Sequence, residues 1–227
     1  MRIVFFGTPT FAVASLEALL KGGVTVVAAV TQPDKPQGRS RSVLLPPPVK
    51  TAAQAHGIPV LQPIRPTGDV LSTSLRRLEP ELGVVVAYGH ILRPEILTLP
   101  ARGMINVHAS LLPRYRGAAP IQHAILHGDT DTGISIMQME AGLDSGPVIH
   151  RMATSIGPQE TAGALAARLS ELGAIALVEA LSLLSGGLAR PQPQDHSKAT
   201  YAPKIDREMA RLAWQHDAAT LARQVRA

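Results

Sequence analysis

Residues 2–30 read RIVFFGTPTFAVASLEALLKGGVTVVAAV, and this stretch decides the fold. Arg2–Phe6 is rich in β-forming residues, Gly7-Thr8-Pro9 predicts a turn, and Phe11–Lys21 carries leucines and alanines near helical spacing. Val24–Val30 is an almost continuous β-branched and apolar stretch, which is typical of a strand covered on both faces. A strand, a helix and a second strand in this order predict the first unit of an α/β sheet.

The alternation of strands and helices continues through most of the chain. It predicts an α/β fold with a doubly wound, mostly parallel sheet, right-handed crossovers and a late antiparallel strand. In such sheets ligands bind beyond the carboxyl ends of the strands, where we expect the turn after the first strand, the loop after Val30 and residues 87–91 and 106–113. The remaining predicted strands are 59–61, 84–88, 104–107, 133–139 and 148–153, and the remaining helices are 47–56, 70–78, 94–99, 121–126 and 161–184.

Length and composition restrict the class of protein. With 227 residues, of which 45% are hydrophobic, the chain is long enough for one α/β domain with a sizeable core and a small appendage. It has no apolar run of transmembrane length and no secretory signal pattern, so the cytoplasm is the expected location. The absence of cysteine excludes disulfides and thiol catalysis, and the formal net charge of +5 favours a polyanionic partner.

Asn106, His108 and Asp144 form the candidate catalytic set. Residues 105–108 alternate as a strand, so the side chains of Asn106 and His108 point to the same side, while Asp144 lies in a glycine-flanked stretch at 142–146 (GLDSG). A carboxamide N–H can stabilise an oxyanion, a histidine can donate or accept a proton, and an aspartate can fix the histidine tautomer. These residue types suit acyl transfer without a covalent nucleophile, although ordinary polar residues at a strand end and a turn have the same pattern.

Several segments resemble the 10-formyltetrahydrofolate-dependent formyltransferases. Residues 106–120 (NVHASLLPRYRGAAP) resemble the active-site stretch of that superfamily, and residues 133–139 (GISIMQM) and 143–146 (LDSG) continue the match. Residues 6–12 (FGTPTFA), 31–39 (TQPDKPQGR) and 48–50 (PVK) are similar to the methionyl-tRNA formyltransferase family in particular. The resemblance runs in order from the first residue to the last. It implies a Rossmann-like fold with a folate donor in place of a nicotinamide.

The resemblance implies a reaction and a role for each residue of the candidate set. The donor carries its formyl group on N10 of tetrahydrofolate, and the acceptor is the α-amine of methionine esterified to initiator tRNA. The neutral amine attacks the formyl carbon directly. Asn106 and His108 are expected to stabilise the oxyanion, and Asp144 is expected to orient His108 and assist proton transfer to N10.

The resemblance also implies where the donor and the tRNA bind. The donor is expected to contact the turn after Asn106 and the segment around residues 88–92. The insertion at residues 32–50, which by composition alone is typical of a solvated loop, is expected to enter the acceptor stem, where its cations meet phosphates. The expected donor-binding residues are Ser110, Leu111, Leu112, Pro113, Tyr88, Gly89, Ile91 and Leu92, and the expected tRNA-binding residues are Lys35, Arg39, Arg41 and Lys50.

The character of the sequence changes after Gly186-Gly187. Residues 188–200 are rich in Pro, Gln and charge, which is typical of a linker, and helices are predicted around Arg207–Trp214 and Ala218–Arg226. We therefore expect residues 1–187 to form the catalytic domain and residues 188–227 to form a linker and helical segment leading to a C-terminal domain. The resemblance implies that this further domain is a small β-barrel that helps to hold tRNA, and that the present chain lacks it. The chain is expected to act as a monomer.

No metal site is expected. His123 and His127 stand four residues apart on a predicted helix, a spacing that metal ligands use. No third ligand accompanies them, and the glutamate of an HExxH motif is absent. His90 lies near the proposed crevice, where a loop histidine is more often a bystander than a ligand.

Three alternatives remain open. Related enzymes formylate sugar-nucleotide amines or glycinamide ribotide, or hydrolyse 10-formyltetrahydrofolate; the basic insertion favours tRNA, because a small acceptor has no evident need of it. A nicotinamide oxidoreductase suits the fold, but the first turn lacks the GxGxxG pattern. A non-catalytic RNA-binding module suits the charge, but it leaves the candidate catalytic set unexplained, and the chain has few aromatic residues for stacking on bases.

Overall fold

A seven-stranded sheet with helices on both faces is the centre of the computed structural model, which describes residues 1–37, 43–66 and 69–227. The strands are β1 (Arg2–Gly7), β2 (Thr25–Val30), β3 (Lys35–Gln37), β4 (Val43–Leu45), β5 (Val60–Leu61), β6 (Leu82–Val86), β7 (Met104–His108), β8 (Asp131–Gln138) and β9 (Val148–Ser155). The helices are α1 (Val13–Lys21), α2 (Pro48–Ala55), α3 (Asp69–Arg77), α4 (Pro94–Leu97), α5 (Pro120–Leu126), α6 (Ala162–Ser185) and α7 (Ala218–Arg226), with short 3-10 turns at Thr10–Ala12 and His196–Lys198. Within the described ranges, no helix combines the length and the apolar character needed to cross a membrane.

The strands follow the order β5-β2-β1-β6-β7-β8-β9. The first five of these run parallel to one another, whereas β8 and β9 pair antiparallel at one edge. The mostly parallel, doubly wound sheet is therefore confirmed, and so is the late antiparallel strand. Of these seven strands β8 runs against the others, because β9 is antiparallel to β8 and therefore has the direction of β7. β1 and β6 are neighbours in the sheet, and later strands are added outward from them on opposite sides. The loops after these two strands therefore diverge at the carboxyl edge, where ligands bind in sheets of this kind.

Apolar side chains cover both faces of the sheet, which explains why the central strands read as continuous apolar runs. On one face α6 packs against β7 and β8, in a cluster that includes Val107 and Leu177. Gly173 allows this close packing, because a Cβ at this position would lie 3.1 Å from Cγ1 of Val107. On the other face Met104 and Tyr88 belong to a second cluster with side chains of α3 and α4. The sheet thereby places the end of β7 between two packed layers.

The basic insertion contains an antiparallel hairpin, β3 with β4, where the sequence predicted only a long loop. The connection between the two strands, with Arg39 and Arg41, lies outside the described residues. The apolar side chains of β4, which are Val43, Leu44 and Leu45, are exposed by 58%, 60% and 44%. This hairpin pairs only with itself and is separate from the main sheet.

The C-terminal segment differs from its prediction in two ways. The helix predicted at 207–214 is wrong: this stretch forms turns, because the Gln224 side chain binds the carbonyl oxygens of Met209 and Arg211 that a helix would use. The helix predicted at Ala218–Arg226 is confirmed as α7. Residues 188–202 pack against the preceding part of the chain, with Gln192 bridged to β9 and Tyr201 bridged to Arg116. A domain boundary at residue 187 remains a prediction.

Candidate active site

Asn106 and His108 lie on one face of β7, as their spacing predicts. Ile105 and Val107 point into the apolar cluster against α6, whereas Met104 belongs to the cluster on the opposite face. Asn106 and His108 share the face of Met104 at the carboxyl end of the strand. The side chain of Asn106 is half-buried and has no hydrogen-bond partner among the described residues, so its amide N–H groups can serve a ligand.

His108 is 5% exposed, and its two ring nitrogens have different partners. Nε2 donates a hydrogen bond to the backbone carbonyl oxygen of Tyr115 at 2.8 Å. Nδ1 lies 3.7 Å from Oδ2 of Asp144, which is an ion-pair distance and too long for a hydrogen bond. Because the fold uses Nε2, Nδ1 is the nitrogen that can serve a substrate.

Asp144 is held both by its side chain and by its backbone. Oδ2 accepts a hydrogen bond from the backbone N–H of Gly117 at 2.8 Å, and the Asp144 carbonyl oxygen accepts one from Nε2 of Gln194, also at 2.8 Å. The φ angle of Asp144 is 45°, a left-handed conformation that a residue other than glycine keeps only where its surroundings stabilise it. The structure thus brings the Asp144 carboxylate to His108, and the catalytic roles of both residues remain predictions.

The turn that follows β7 is closed by hydrogen bonds within the protein. The Ser110 hydroxyl donates to the Arg114 carbonyl oxygen at 2.6 Å, and the Leu112 N–H donates to the Ser135 hydroxyl at 3.0 Å. Ser110 and Leu112 are buried, whereas Leu111 and Pro113 are half-buried. Among the predicted donor-binding residues of this turn, Leu111 and Pro113 therefore retain accessible surface, and Ser110 and Leu112 shape the turn.

The loop after β6 is joined to the turn after β1. The Tyr88 carbonyl oxygen accepts hydrogen bonds from the Thr8 hydroxyl at 2.9 Å and from the Gln32 side-chain amide at 3.1 Å. These bonds connect the loop after β6 to the loops after β1 and β2. The Tyr88 ring itself is buried, its hydroxyl has no hydrogen-bond partner among the described residues, and burial raises its pKa to about 12. Tyr88 can therefore reach a ligand at this edge only through its backbone.

The rest of this loop contains the other predicted donor-binding residues. Gly89 has a φ of 84°, in the region that favours glycine, and a side chain there would collide with that of Gln32. Ile91 is 86% exposed, whereas Leu92 is buried. The loop therefore offers one large apolar side chain, that of Ile91, to a ligand at the crevice.

Two of the predicted tRNA-binding residues, Lys50 and Lys35, differ in whether an acidic group of the protein pairs with their charge. The Lys50 ammonium lies 2.8 and 2.7 Å from the two carboxylate oxygens of Asp34, and the Gln62 amide donates to the same carboxylate at 2.7 Å. The hydrogen bonds from Lys50 and Gln62 hold the pKa of Asp34 below its usual value. Lys35 is exposed on β3 and has no ion-pair partner within the part of the chain that the structure describes. Lys50 therefore has an internal counter-ion, and Lys35 is free to meet a phosphate.

Sequence reasoning missed Gln194 and Arg116, both of which are buried beside Asp144. Gln194 lies in the segment that its composition assigns to a linker, and a stretch rich in Pro and Gln has no periodicity from which burial could be predicted. The LPRYRG stretch contains Arg116, but its side-chain partners come from residues about 80 positions further along the chain. No local signal in the sequence indicates these contacts.

His123 and His127, which have the spacing of a metal pair, take part in contacts within the protein. Nε2 of His123 donates to the Pro203 carbonyl oxygen at 3.0 Å, and Nδ1 of His127 donates to the His123 carbonyl oxygen at 2.7 Å. In residues 1–37, 43–66 and 69–227, no three metal-ligating side chains are grouped together. His123 therefore joins α5 to the C-terminal segment, whereas His127 bonds back to the end of its own helix.

Comparison with known proteins identifies the class to which this fold and site belong. The family model described as formyl transferase matches residues 1–181. The N-formyltransferase from Helicobacter canadensis, solved in complex with folinic acid and dTDP-3-aminofucose, superposes with a TM-score of 0.76 at 17% identity, covering 99% of this chain and 79% of that chain. At this level of identity the likeness concerns the fold alone. The chain belongs to the formyl transferase family.

Two curated relatives narrow the assignment within this family. The methionyl-tRNA formyltransferase of Xanthomonas campestris pv. campestris is 56% identical over 229 residues, covering 100% of this chain and 74% of that protein. The enzyme of the same name from Stutzerimonas stutzeri is 50% identical over 227 residues, covering 100% of this chain and 72% of that protein. Within the formyl transferases, this chain is a member of the methionyl-tRNA formyltransferases.

Proposed function

We propose that this chain transfers the formyl group of 10-formyltetrahydrofolate to the α-amine of methionyl initiator tRNA, for translation initiation. The observation that carries the proposal is the arrangement at the end of β7. Nδ1 of His108 and Oδ2 of Asp144 face each other at 3.7 Å, and the Asn106 amide, which has no hydrogen-bond partner in the described part of the chain, lies on the same face of the strand. A donor amide, a proton-transfer group and a carboxylate are the parts that direct amine acylation needs.

The proposed reaction forms one C–N bond and breaks another. The α-amine attacks the formyl carbon, and the bond from that carbon to N10 breaks as the proton of the amine moves to N10. The Asn106 amide, and Nδ1 of a His108 ring that carries protons on both nitrogens, donate hydrogen bonds to the oxyanion that develops on the formyl oxygen. The Asp144 carboxylate keeps the imidazole oriented and assists the proton transfer, directly or through a water molecule.

The surfaces around this centre suit the two substrates. Ile91, Leu111 and Pro113 provide accessible apolar surface for the ring system of the donor at the carboxyl edge of the sheet. Lys35, together with Arg39 and Arg41, provides positive charge for the phosphates of the acceptor stem. Lys50 contributes in a different way from the other three, because its ammonium is bound to Asp34 and supports the base of the hairpin.

From the same proposal we infer where the enzyme acts and how its parts are organised. Translation initiation takes place in the cytoplasm, so the enzyme is proposed to act there, and a single copy of the chain contains the whole candidate catalytic set. Residues 188–227 are proposed to connect this catalytic domain to a further C-terminal domain. No metal takes part in the proposed reaction.

The decisive experiment measures formyl transfer from 10-formyltetrahydrofolate to charged initiator tRNA by the wild-type chain and by Asn106→Ala. Loss of the amide is expected to lower kcat by about 100- to 1,000-fold, as for other preorganised oxyanion donors. The thermal unfolding midpoint is expected to stay unchanged, because Asn106 makes no side-chain hydrogen bond within the described residues.

Control reactions separate the proposed function from its alternatives. Consumption of the donor without tRNA would identify a hydrolase, and transfer to a sugar-nucleotide amine but not to charged tRNA would identify a small-amine formyltransferase. Wild-type rates from Asn106→Ala would refute the proposed role of this residue. Absence of tRNA formylation by a folded wild-type chain that binds the donor would refute the proposal for this chain.

A further inference from the structure

Gln194 is a buried polar residue outside the part of the chain that matches the formyl transferase family model. That match ends at residue 181, and Gln194 follows in the segment after α6, where it is 5% exposed. The segment is fixed on both sides of Gln194, because Gln192 is bridged to Val148 of β9 and Tyr201 is bridged to Arg116. A buried glutamine must satisfy its amide, so its partners indicate what the segment holds.

All of the hydrogen-bonding groups of the Gln194 side chain are engaged. Nε2 donates to the carbonyl oxygen of Asp144 at 2.8 Å and to that of Gly146 at 2.7 Å. Oε1 accepts from Nε and Nη2 of Arg116 at 3.1 and 2.7 Å. The two N–H groups of the amide therefore bind backbone carbonyl oxygens of the Asp144 loop on both sides of residue 145.

Arg116 closes this arrangement into a ring of contacts. Its side chain is 4% exposed, and its other hydrogen bond joins Nη2 to Nδ1 of His196 at 3.2 Å. The next residue, Gly117, donates its backbone N–H to Oδ2 of Asp144. Gln194 thus connects the backbone of Asp144 to the side chain of Arg116, whose neighbour binds the carboxylate of Asp144.

We propose that Gln194 is a positioning residue that keeps the Asp144 carboxylate on the N–H of Gly117 and facing Nδ1 of His108. This inference rests on the proposed function, because it acts through Asp144. The left-handed backbone of Asp144 supplies the reason for such a residue, since a strained conformation persists only where surrounding contacts hold it. Without the two hydrogen bonds from Gln194, the loop 142–146 loses both of the side-chain contacts that hold its backbone at residues 144 and 146.

Gln194→Glu is the most direct test, because it keeps the shape and the acceptor for Arg116 but removes both N–H donors. We expect kcat for formyl transfer to fall about 10- to 100-fold, as is typical when a catalytic group is displaced by a fraction of an ångström to an ångström. The KM for the donor is expected to change little, because Gln194 contacts none of the predicted donor-binding residues. Gln192→Glu is the matched control: it adds the same charge at an exposed side chain two residues away and is expected to leave kcat unchanged.

The same substitution in the Asp144→Asn variant distinguishes positioning of Asp144 by Gln194 from a general structural role of Gln194. In Asp144→Asn, the further change Gln194→Glu is expected to lower kcat by less than about threefold, because residues that act through one group are not additive. An equal fold-loss in both backgrounds would overturn the inference, and so would an unchanged kcat in Gln194→Glu alone. If the buried charge of Gln194→Glu prevents folding, the neutral and similarly sized Gln194→Met replaces it in the same cycle.

Hydrogen exchange at the Gly117 amide tests the inference without the reaction. This N–H is bound to the Asp144 carboxylate, so its exchange is expected to accelerate at least about tenfold in Gln194→Glu or Gln194→Met and to stay unchanged in Gln192→Glu. An unchanged exchange rate would overturn the positioning role. If the wild-type chain formylates no tRNA, the proposed function fails, whereas the exchange rates still decide the role of Gln194.

Discussion

His108 is bound through Nε2 to the carbonyl oxygen of Tyr115, 2.8 Å away, and this contact turns Nδ1 toward Asp144. Tyr115 has a φ of 60°, and its own N–H is bound to the Thr200 hydroxyl at 2.9 Å. The orientation of this imidazole is therefore set by the turn after β7 and by the C-terminal segment, in addition to the carboxylate. The two ring nitrogens consequently have separate tasks: Nε2 holds the structure, and Nδ1 is the nitrogen proposed to take part in the chemistry.

Two amide substitutions at His108 should separate these tasks. The amide nitrogen of Asn reaches the position of Nδ1, whereas that of Gln reaches the position of Nε2. Both His108→Asn and His108→Gln are expected to lower kcat/KM by about 100-fold or more, because neither transfers a proton as imidazole does. His108→Asn is expected to retain the higher rate and His108→Gln the higher unfolding midpoint, measured by steady-state kinetics and thermal denaturation. The opposite ranking of rates would assign the chemistry to Nε2.

Tyr115 should make the stability of the protein sensitive to alkaline pH. Burial and, after it, the hydrogen bond to Asp129 raise the pKa of the Tyr115 phenol to about 12, from an ordinary value of 10.0. Since the folded pKa lies above the unfolded one, this stabilisation is complete below about pH 10 and is lost as the pH rises through about 12. Denaturant unfolding at pH 8 is expected to show wild type more stable than Tyr115→Phe by about 1.5–3 kcal/mol, the value of a hydrogen bond to a charged group.

The difference between wild type and Tyr115→Phe is then expected to shrink between pH 10 and pH 12. Tyr88, whose phenol is also raised to about 12, is present in both proteins and leaves this difference unaffected. A difference in unfolding free energy that stays constant across this range would show that the Tyr115 phenol does not titrate as its surroundings indicate.

Arg39 and Lys50 should affect tRNA binding differently. Arg39→Gln is expected to weaken tRNA binding and to reduce the slope of log K against log salt by about 0.7–0.9, the value for one lost phosphate contact. Lys50→Gln is expected to change the slope by less than half of that, because the Lys50 ammonium already has Asp34 as its counter-ion. Filter binding or fluorescence titration at several salt concentrations measures both slopes. Equal reductions in slope would show that Lys50 leaves Asp34 to meet a phosphate.

Gly133, the glycine of β8, should not tolerate a side chain. A Cβ at this position would collide with the backbone carbonyl oxygen of Met152 on β9 and would lie 2.7 Å from Cδ2 of Leu111. Gly133→Ala is therefore expected to lower the free energy of unfolding by about 1–3 kcal/mol, a typical cost of overpacking. Because Leu111 belongs to the proposed donor-binding turn, the KM for 10-formyltetrahydrofolate is expected to rise as well.

Gly163→Ala provides the control for this substitution. Its Cβ would meet only the Thr161 hydroxyl at 3.9 Å, and it lies in the first turn of α6. Denaturant unfolding is expected to show no loss, or a gain of up to about 1 kcal/mol from the better helix propensity of alanine. Equal destabilisation by the two substitutions would show that the packing between β8 and β9 is not the cause.

Most of the sheet follows from local patterns. The apolar run at Val24–Val30 and the period-two alternation around Asn106 correspond to β2 and β7, and the amphipathic stretch predicted at 161–184 corresponds to α6. Each of these elements is decided by the side chains it buries, which appear in the sequence at a regular spacing. The family relationship extends this reading to a reaction, through motifs whose residues the structure places at one edge of the sheet.

The elements that were missed or wrong lack such a period. The hairpin of β3 and β4 is held by its own backbone pairing and exposes its apolar residues, so no buried face appears in its sequence. The stretch 207–214 has helical composition, but the Gln224 side chain takes up two of its carbonyl oxygens and leaves it as turns. In the stretch 207–214 a contact from outside outweighs intrinsic propensity, whereas the hairpin was missed because it has no buried face that a pattern could show.

By itself the sequence determined the α/β architecture, the side of β7 on which Asn106 and His108 lie, and the family. The tertiary structure alone decided which imidazole nitrogen faces Asp144, that Lys50 is paired with Asp34, and that Gln194 is buried against the loop of Asp144. The physical reason is the range of the interactions. Burial repeats with the period of a helix or a strand and is therefore visible in the chain, whereas a hydrogen bond between residues 50 positions apart depends on how the packed elements meet.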